Sequence, residues 1–506
     1  MFNLQKDHLF SLVKSLNKAE KRNFRLYVNR LQADAKFVQL FDVLDKMQAY
    51  DDQQVLQQLE GVEKKHLPNL KRHLYRQLLT SLRLIYIQKD VEISIHEQID
   101  FARILYGKGM YMQALKILES TKRKALDHHQ DILHLEIIEF QKMIEARHIT
   151  RSRRIENKME ALLDEARQRS RIAHSSNLFS NFNIQVHGWY IQFGHIKSEA
   201  ELHAVNQFFQ EQMPQEFLNS QLTFFEKANL YQAYMWYHYI LLDFEGAARH
   251  ANRWIELFQE NEQMCEKDPT LYMRAMYYLM VQYYLTQRTE DFSRQLKAFE
   301  TFYRHILPQL NDNGKLTATI YLNLSQLNHI FLTQDYERGV SLIPGIKKEL
   351  MAMGANTDVH RILLFYFKFA YLYFCRREYE KALDYLNEII HLKANSLRDD
   401  LLHNTRMLHL ICHYELGNYR LLDYLIPAVQ RLFDKATDLS PLLLKTLAFI
   451  KELMAKPPAE HPAHFRSFLH AIAEKASSPY ERKTNNYLDV SKWLLSHARA
   501  ADMPQP

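Results

Sequence analysis

A turn motif, Gly-x-Tyr-x-x-Ala-Leu, stands complete at residues 109–115 and returns in degraded form along the chain. Its echoes are Asp243-Phe244-Glu245-Gly246-Ala247, Asp291-Phe292, Asp335-Tyr336, Glu378-Tyr379-Glu380-Lys381-Ala382-Leu383 and Gly417-Asn418-Tyr419. The aromatic positions 244, 292, 336, 379 and 419 follow one another at intervals of 48, 44, 43 and 40 residues. Between 111 and 244 lie 133 residues, room for three such intervals. A fixed period of this size means stacked helical hairpins, because one hairpin alone cannot cover its apolar face.

Composition agrees. Of 506 residues only 11 are Gly and 13 are Pro, where average usage is about 12% for the pair. A β-rich chain needs those residues for its tight turns, so their scarcity favours nearly continuous helix. The chain is also longer than a single compact core supports, which calls for several domains or an elongated stack. Cys265, Cys375 and Cys412 are far apart and lack CxxC spacing; free thiols in a reducing compartment are expected. The first ten residues carry charges where a secretory signal needs an apolar stretch. The most apolar run, 362–375, is interrupted by Lys368 and is too short to span a bilayer. A soluble, cytoplasmic protein is expected.

The formal net charge of +6 is unevenly placed. Residues 1–90 hold 16 Lys/Arg against 10 Asp/Glu, and the rest of the chain is balanced. Residues 1–90 therefore read as a basic helical module, 91–439 as the repeats, and 440–506 as capping helices with a frayed tail. In the first module, Asn17 and Glu20 form a capping pair for the second helix, and Pro68 opens a long helix ending near 88. The hairpins expected are 92–107 with 111–127, 131–147 with 152–171, 176–193 with 198–211, and 221–241 with 244–260. They continue as 269–287 with 290–307, 315–332 with 336–351, 357–375 with 379–393, and 398–415 with 419–434. Clear breaks fall at Asp268-Pro269, at 311–314 and at 354–356. Lys456-Pro457-Pro458 ends the pattern, and helices over about 461–476 and 479–499 follow.

The turn motif resembles that of the tetratricopeptide (TPR) family. In that family Gly and Tyr stand at the inter-helix turn, and Ala follows the Tyr by three residues. A large apolar residue and a small one precede the Tyr by ten and nine. Phe101-Ala102 before Tyr111 and Phe369-Ala370 before Tyr379 keep that spacing, with Ala114, Ala247 and Ala382 at the small position. Leu422 and Gly339 depart from it. The resemblance covers about 91–435, and the longer period implies an extra turn per helix. It implies an all-α, right-handed superhelical stack of antiparallel hairpins. The whole layout looks like bacterial TPR-like proteins with a charged helical N-terminus.

The resemblance also implies a groove lined by positions 15, 12, 8 and 5 before each turn aromatic. Residue by residue this selects Arg103 and Tyr106; Asn229, Gln232, Trp236 and Tyr239; Tyr277 and Tyr284; Asn328 and Phe331; Tyr371 and Phe374; and Asn404 and Tyr414. Aromatics that fill anchor pockets and amides that clamp a backbone suit peptide binding, although aromatics at helical spacing also build ordinary cores. A second candidate surface is the Arg72, Arg76 and Arg83 face of the helix after Pro68, opposite Leu67, Leu70, Leu74, Leu78 and Ile85. Such a face suits phosphate or an acidic partner, but no base-reading motif accompanies it. Arginines 147, 151, 153, 154, 167, 169 and 171 have Glu156, Glu160, Asp164 and Glu165 among them to neutralise them.

His409 and His413 lie one turn apart without the Glu of an HExxH zinc site. Residues 339–347 lack the Gly-Lys-Ser/Thr of a phosphate loop, and no nucleophile constellation is present. Neither metal nor cofactor is indicated. The expected function is a non-enzymatic scaffold that presents a concave face to a protein or peptide. The alternative is a regulator whose basic N-terminal module contacts nucleic acid while its repeats sense a peptide.

Overall fold

The computed structural model describes residues 7–30, 36–59, 61–152, 158–352, 359–391, 399–436, 439–475 and 488–500. Among these, 24 α-helices and no strand are found. The fold is an all-α stack in which helices pack chiefly on their sequence neighbours. By compactness the chain divides into residues 1–174 and 175–506.

The first unit begins with α1 (His8–Ser15), α2 (Lys18–Arg30), α3 (Lys36–Lys46), α4 (Asp52–Gln58) and α5 (Leu67–Tyr86). The capping pair forms as expected: Asn17 Oδ1 accepts from the Glu20 amide at 3.0 Å, and Glu20 Oε2 accepts from the Asn17 amide at 2.8 Å. These helices enclose their own core, including Val13, Phe24, Leu40, Phe41, Leu74 and Leu78. A separate core follows in α6 (Val91–Gly107), α7 (Tyr111–Asp127) and α8 (Asp131–Ser152), around Ile95, Ile99, Ala114, Leu118 and Ile137. Residues 1–90 thus have a core of their own, and the compact unit also takes in the first hairpins.

Helix α9 (Lys158–Phe193) is one continuous element of 36 residues. It corrects the expectation of two helices, 152–171 and 176–193. Ile172-Ala173-His174-Ser175 contains no Gly or Pro to stop a helix, and the unit boundary falls inside it.

In the second unit, α10 (Glu199–Gln212) precedes five hairpins. These are α11 (Phe224–Ile240) with α12 (Phe244–Gln259), and α14 (Pro269–Leu285) with α15 (Thr289–Ile306), preceded by the short α13 (Gln263–Lys267). Then come α16 (Asp312–Thr333) with α17 (Tyr336–Ala352), α18 (Val359–Cys375) with α19 (Tyr379–His391), and α20 (Asp399–Glu415) with α21 (Tyr419–Phe433). Three helices close the chain: α22 (Pro441–Met454), α23 (His461–Lys475) and α24 (Val490–Ala500). Pro269 opens α14 behind the Asp268 cap, and Asn311 caps α16, as the breaks predicted. The 354–356 break and the terminal 503–506 lie outside the described residues. One core runs from Phe179 to Leu494, so the segment expected to cap the repeats shares their interior.

The hairpin turns share one geometry that the sequence shows only in part. Gly109, Leu242, Gln287, Gln334, Arg377 and Gly417 all have φ between 58° and 75°. Each stands two residues before the second helix of its hairpin. In five of the six, the next residue donates to a carbonyl five positions back, for example Met110 to Leu105 and Glu378 to Tyr373, both at 2.9 Å. This is the Schellman ending, which needs a left-handed residue but not strictly glycine. The rule also corrects the register of one repeat. Thr289, not Phe292, opens α15, and Phe292 takes the place that Ala114, Ala247, Gly339, Ala382 and Leu422 hold elsewhere.

Candidate functional site

Arg103 and Tyr106, in the first unit, are engaged locally. Arg103 pairs with Glu136 at 2.7 Å, and the Tyr106 hydroxyl accepts from Arg147 at 2.9 Å. Of the other expected groove residues, the aromatic ones on α11 to α18, Tyr284 apart, make ring contacts in the second unit that fall into two groups, one around Trp236 and Tyr277 and one around Phe331 and Tyr371. His187 and Tyr190 of α9 stack on Trp236, with centroids at 4.2 and 5.2 Å, and Tyr239 meets Tyr190 at 5.1 Å. Trp236 meets Tyr278 at 5.2 Å, and Tyr277 stacks on Tyr321 at 4.3 Å. Phe331 meets Tyr371 at 5.4 Å, and Tyr371 stacks on Phe374.

The amides behave differently from the expectation that they clamp a backbone. Asn229, Gln232 and Asn404 each donate to a carbonyl one turn back in their own helix, at 3.0, 3.1 and 2.8 Å. Asn229 also accepts from Asn183 at 3.0 Å. Asn328 instead meets a charged group from another helix: its Oδ1 accepts from Lys368 Nζ at 2.7 Å.

Lys368 is the centre that groove spacing missed, although the sequence shows it as the one charge in the apolar run 362–375. Its ammonium lies 5.6 Å from the Tyr284 ring centroid and 5.3 Å from that of Phe331. No carboxylate pairs with it among the described residues. Burial pushes its pKa down to about 8. Around it, α14, α17 and α18 bring Tyr284, Tyr336, Tyr371 and Cys375 together. The hydroxyls of Tyr336 and Tyr371 bond to the Cys375 thiol. Burial pushes Tyr284 and Cys375 each up to about 12, and raises Tyr336 and Tyr371 as well. These groups stay neutral near pH 7. The arrangement presents one desolvated cation and a set of hydroxyl donors on an aromatic wall, which suits recognition of an anionic or carbonyl group.

Beyond this cluster, Tyr414 of α20 faces His461, Trp493 and His497 of the closing helices. Glu415 accepts from Trp493 Nε1 and bonds to His497 Nε2, both at 2.6 Å, and it also bonds to Tyr379. Burial alone would raise the Glu415 carboxyl, but the bonds from His497 and Trp493 hold it below its usual range.

The basic face of α5 is exposed at Arg72, Arg76 and Arg83, with Leu67, Leu74 and Leu78 buried behind it. It is not purely polar, since Tyr75 and Leu79 stand exposed among the arginines. Arg83 pairs with Asp100 at 3.4 Å. In the second basic cluster, Arg167 pairs with Asp164 and Arg169 with Asp131, at 2.7 and 3.1 Å; Arg153 and Arg154 lie outside the described residues.

His409 and His413 meet edge-on at 4.5 Å, bonded to Asn387 and Asn418. Among the described residues, no group of three His, Cys, Asp or Glu is placed to hold a metal ion. Residues 339–347 lie inside α17. None of the described helices is long and apolar enough to cross a membrane. Comparison with protein-family models, with curated proteins and with solved structures gives no match.

Proposed function

We propose that this protein is a non-enzymatic, cytoplasmic scaffold that binds a protein or peptide along the first helices of its second-unit hairpins. Two groups of ring contacts, from Trp236 to Tyr277 and from Phe331 to Tyr371, with the Lys368 cation at Phe331 and without a carboxylate partner among the described residues, carry this reading. Such rings supply anchor contacts at low entropy cost. An ammonium bonded to Asn328, with no carboxylate beside it among the described residues, gains from a ligand carboxylate or carbonyl. The TPR-like turn spacing supports the same view, and with it a right-handed superhelical course, which small-angle scattering can test.

The decisive experiment places a photo-crosslinking residue at Trp236 or Tyr277 in cells, with Lys297 on α15 as the outer control. A discrete protein joined from the first two positions and not from Lys297 is expected. Equal labelling from all three would end the reading. A second reading rests on Arg72 and Arg76, which are exposed and without carboxylate partners among the described residues. In it, the basic module contacts nucleic acid while the repeats sense a peptide.

A further inference from the structure

The last described helix, α24, packs on α20, α22 and α23. Helix α24 buries Val490, Trp493, Leu494 and Ala498 and leaves Lys492, Leu495 and Ser496 exposed. That is an amphipathic stripe at spacings of three and four. Trp493 is held on three sides by Tyr414, Phe449 and Phe465, with centroids at 6.1, 6.1 and 5.2 Å. His497 stacks on Phe465 at 4.2 Å. The polar anchor is Glu415, which accepts the indole N–H and meets the imidazole one turn later. At the other end of the helix, Asp489 and Lys492 lie close enough to the Cys375 thiol to bias its ionisation, and Asp489 also acts on Tyr284, Tyr336 and Tyr371. The start of α24 thus lies toward Cys375, and its later turns meet Glu415.

An 11-residue helix is marginal by itself in water, so α24 owes its helicity to this seat. Fourteen residues separate Lys475 from Val490. Fully extended, such a length of chain reaches about 50 Å, enough for α24 to leave while α23 stays packed.

We infer that the seat formed by α20, α22 and α23 is a receptor for an amphipathic partner helix bearing a tryptophan and, one turn later, a cationic or N–H-donating side chain. In this account α24 is a tethered copy of that ligand, and a partner binds by displacing it. The inference rests on the protein-binding reading above and adds the class of ligand and its control. A partner helix of this type satisfies the same requirements: an apolar ring in the Tyr414–Phe449–Phe465 pocket and a donor for a buried carboxylate that cannot be left unpaired.

The test uses the full chain and a fluorescent peptide of residues 488–500. Trp493→Ala frees the seat without altering its walls. The peptide is expected to bind this variant at least about 30-fold more tightly than wild type, the scale of a central tryptophan anchor. Adding Glu415→Gln to Trp493→Ala should weaken the peptide by about 10-fold, since the acceptor loses its charge. If Trp493→Ala melts cooperatively yet binds the peptide no better than wild type, the inference is overturned. Hydrogen exchange on the wild-type chain decides the matter should that variant fail to fold. Exchange of the α24 amides through an opening separate from global unfolding supports a releasable helix, and exchange only with global unfolding overturns it. Crosslinking at Trp236 and Tyr277 lies away from α24, so failure here leaves the scaffold reading to its own test.

Discussion

Individual residues carry energies here that their types alone do not reveal. Lys368 is the clearest case. Its folded pKa, about 8, lies below the ordinary 10.5, so folding disfavours the charged form. Between those two values the unfolded chain holds a proton that the folded one has lost, and stability from this group rises with pH across that window. At pH 7 both states are protonated and the desolvation cost stands in full. Lys368→Met should therefore stabilise the protein at pH 7 by about 1 kcal/mol, the full shift being discounted because solvent still reaches the side chain. The advantage should shrink toward pH 9. Thermal melts of both proteins at pH 7, 8 and 9 check this, and a constant difference would refute it. Gly339 is the opposite kind of residue. A Cβ there would stand 2.8 Å from Leu372 and 2.9 Å from Ile330. Gly339→Ala should cost about 1–3 kcal/mol by overpacking, despite alanine's better helix propensity. Urea unfolding that leaves the midpoint unchanged would show that α17 can move aside. The same reasoning applies to Ala114→Leu and Ala382→Leu, since both alanines are fully buried.

At the scale of elements, the hairpin turn is the conserved object, and its residues vary. Leu242, Gln287, Gln334 and Arg377 occupy a left-handed conformation that Gly109 and Gly417 adopt at no steric cost. Arg377 is exposed and carries no hydrogen bond of its own side chain among the described residues. Arg377→Gly should stabilise by about 0.5–1 kcal/mol, the relief of left-handed strain less glycine's extra chain entropy. A lower denaturation midpoint would mean that the strain is absent. Sequence reading recovered most of these elements because caps and breakers act locally. The Asn17–Glu20 box, Asp268 before Pro269 and Asn311 before α16 all stand where short-range rules put them. It failed where only the period was followed. The expected break near 172–175 has no breaker, and the Phe292 register was set by aromatic identity instead of by the turn.

For the whole molecule, the basic module and the repeats make separable predictions. If the α5 face binds nucleic acid, replacing Arg72, Arg76 and Arg83 by Gln should flatten the dependence of log affinity on log salt by up to about three units. The scaffold reading expects instead no binding tighter than about 10⁻⁴ to 10⁻⁶ M and no effect on crosslinking from Trp236. Anisotropy titrations at several salt concentrations separate the two. The exposed Tyr75 and Leu79 within the arginine stripe favour the second outcome, because a phosphate-tracking face gains nothing from them.

The amino-acid sequence by itself determined that this chain is helical and that it folds as consecutive hairpins of 40–48 residues. Those properties follow from Gly and Pro scarcity, apolar spacing and turn residues, all of which act within a few positions of themselves. It also placed Trp236, Tyr277, Tyr284, Asn328, Phe331 and Tyr371 on the first helices, where the structure gives Trp236, Tyr277, Phe331 and Tyr371 ring contacts and sets Tyr284 and Asn328 beside Lys368. Tertiary structure alone decided the rest. Lys368 became a desolvated cation because Tyr284, Asn328 and Phe331 arrive from two other helices. Glu415 met Trp493 across 78 residues of sequence, and no local pattern announces a contact at that separation. What fills the Tyr414–Phe449–Phe465 pocket is set by the packing of α20, α22 and α23, so the last described helix stayed invisible as a ligand until those helices were in place.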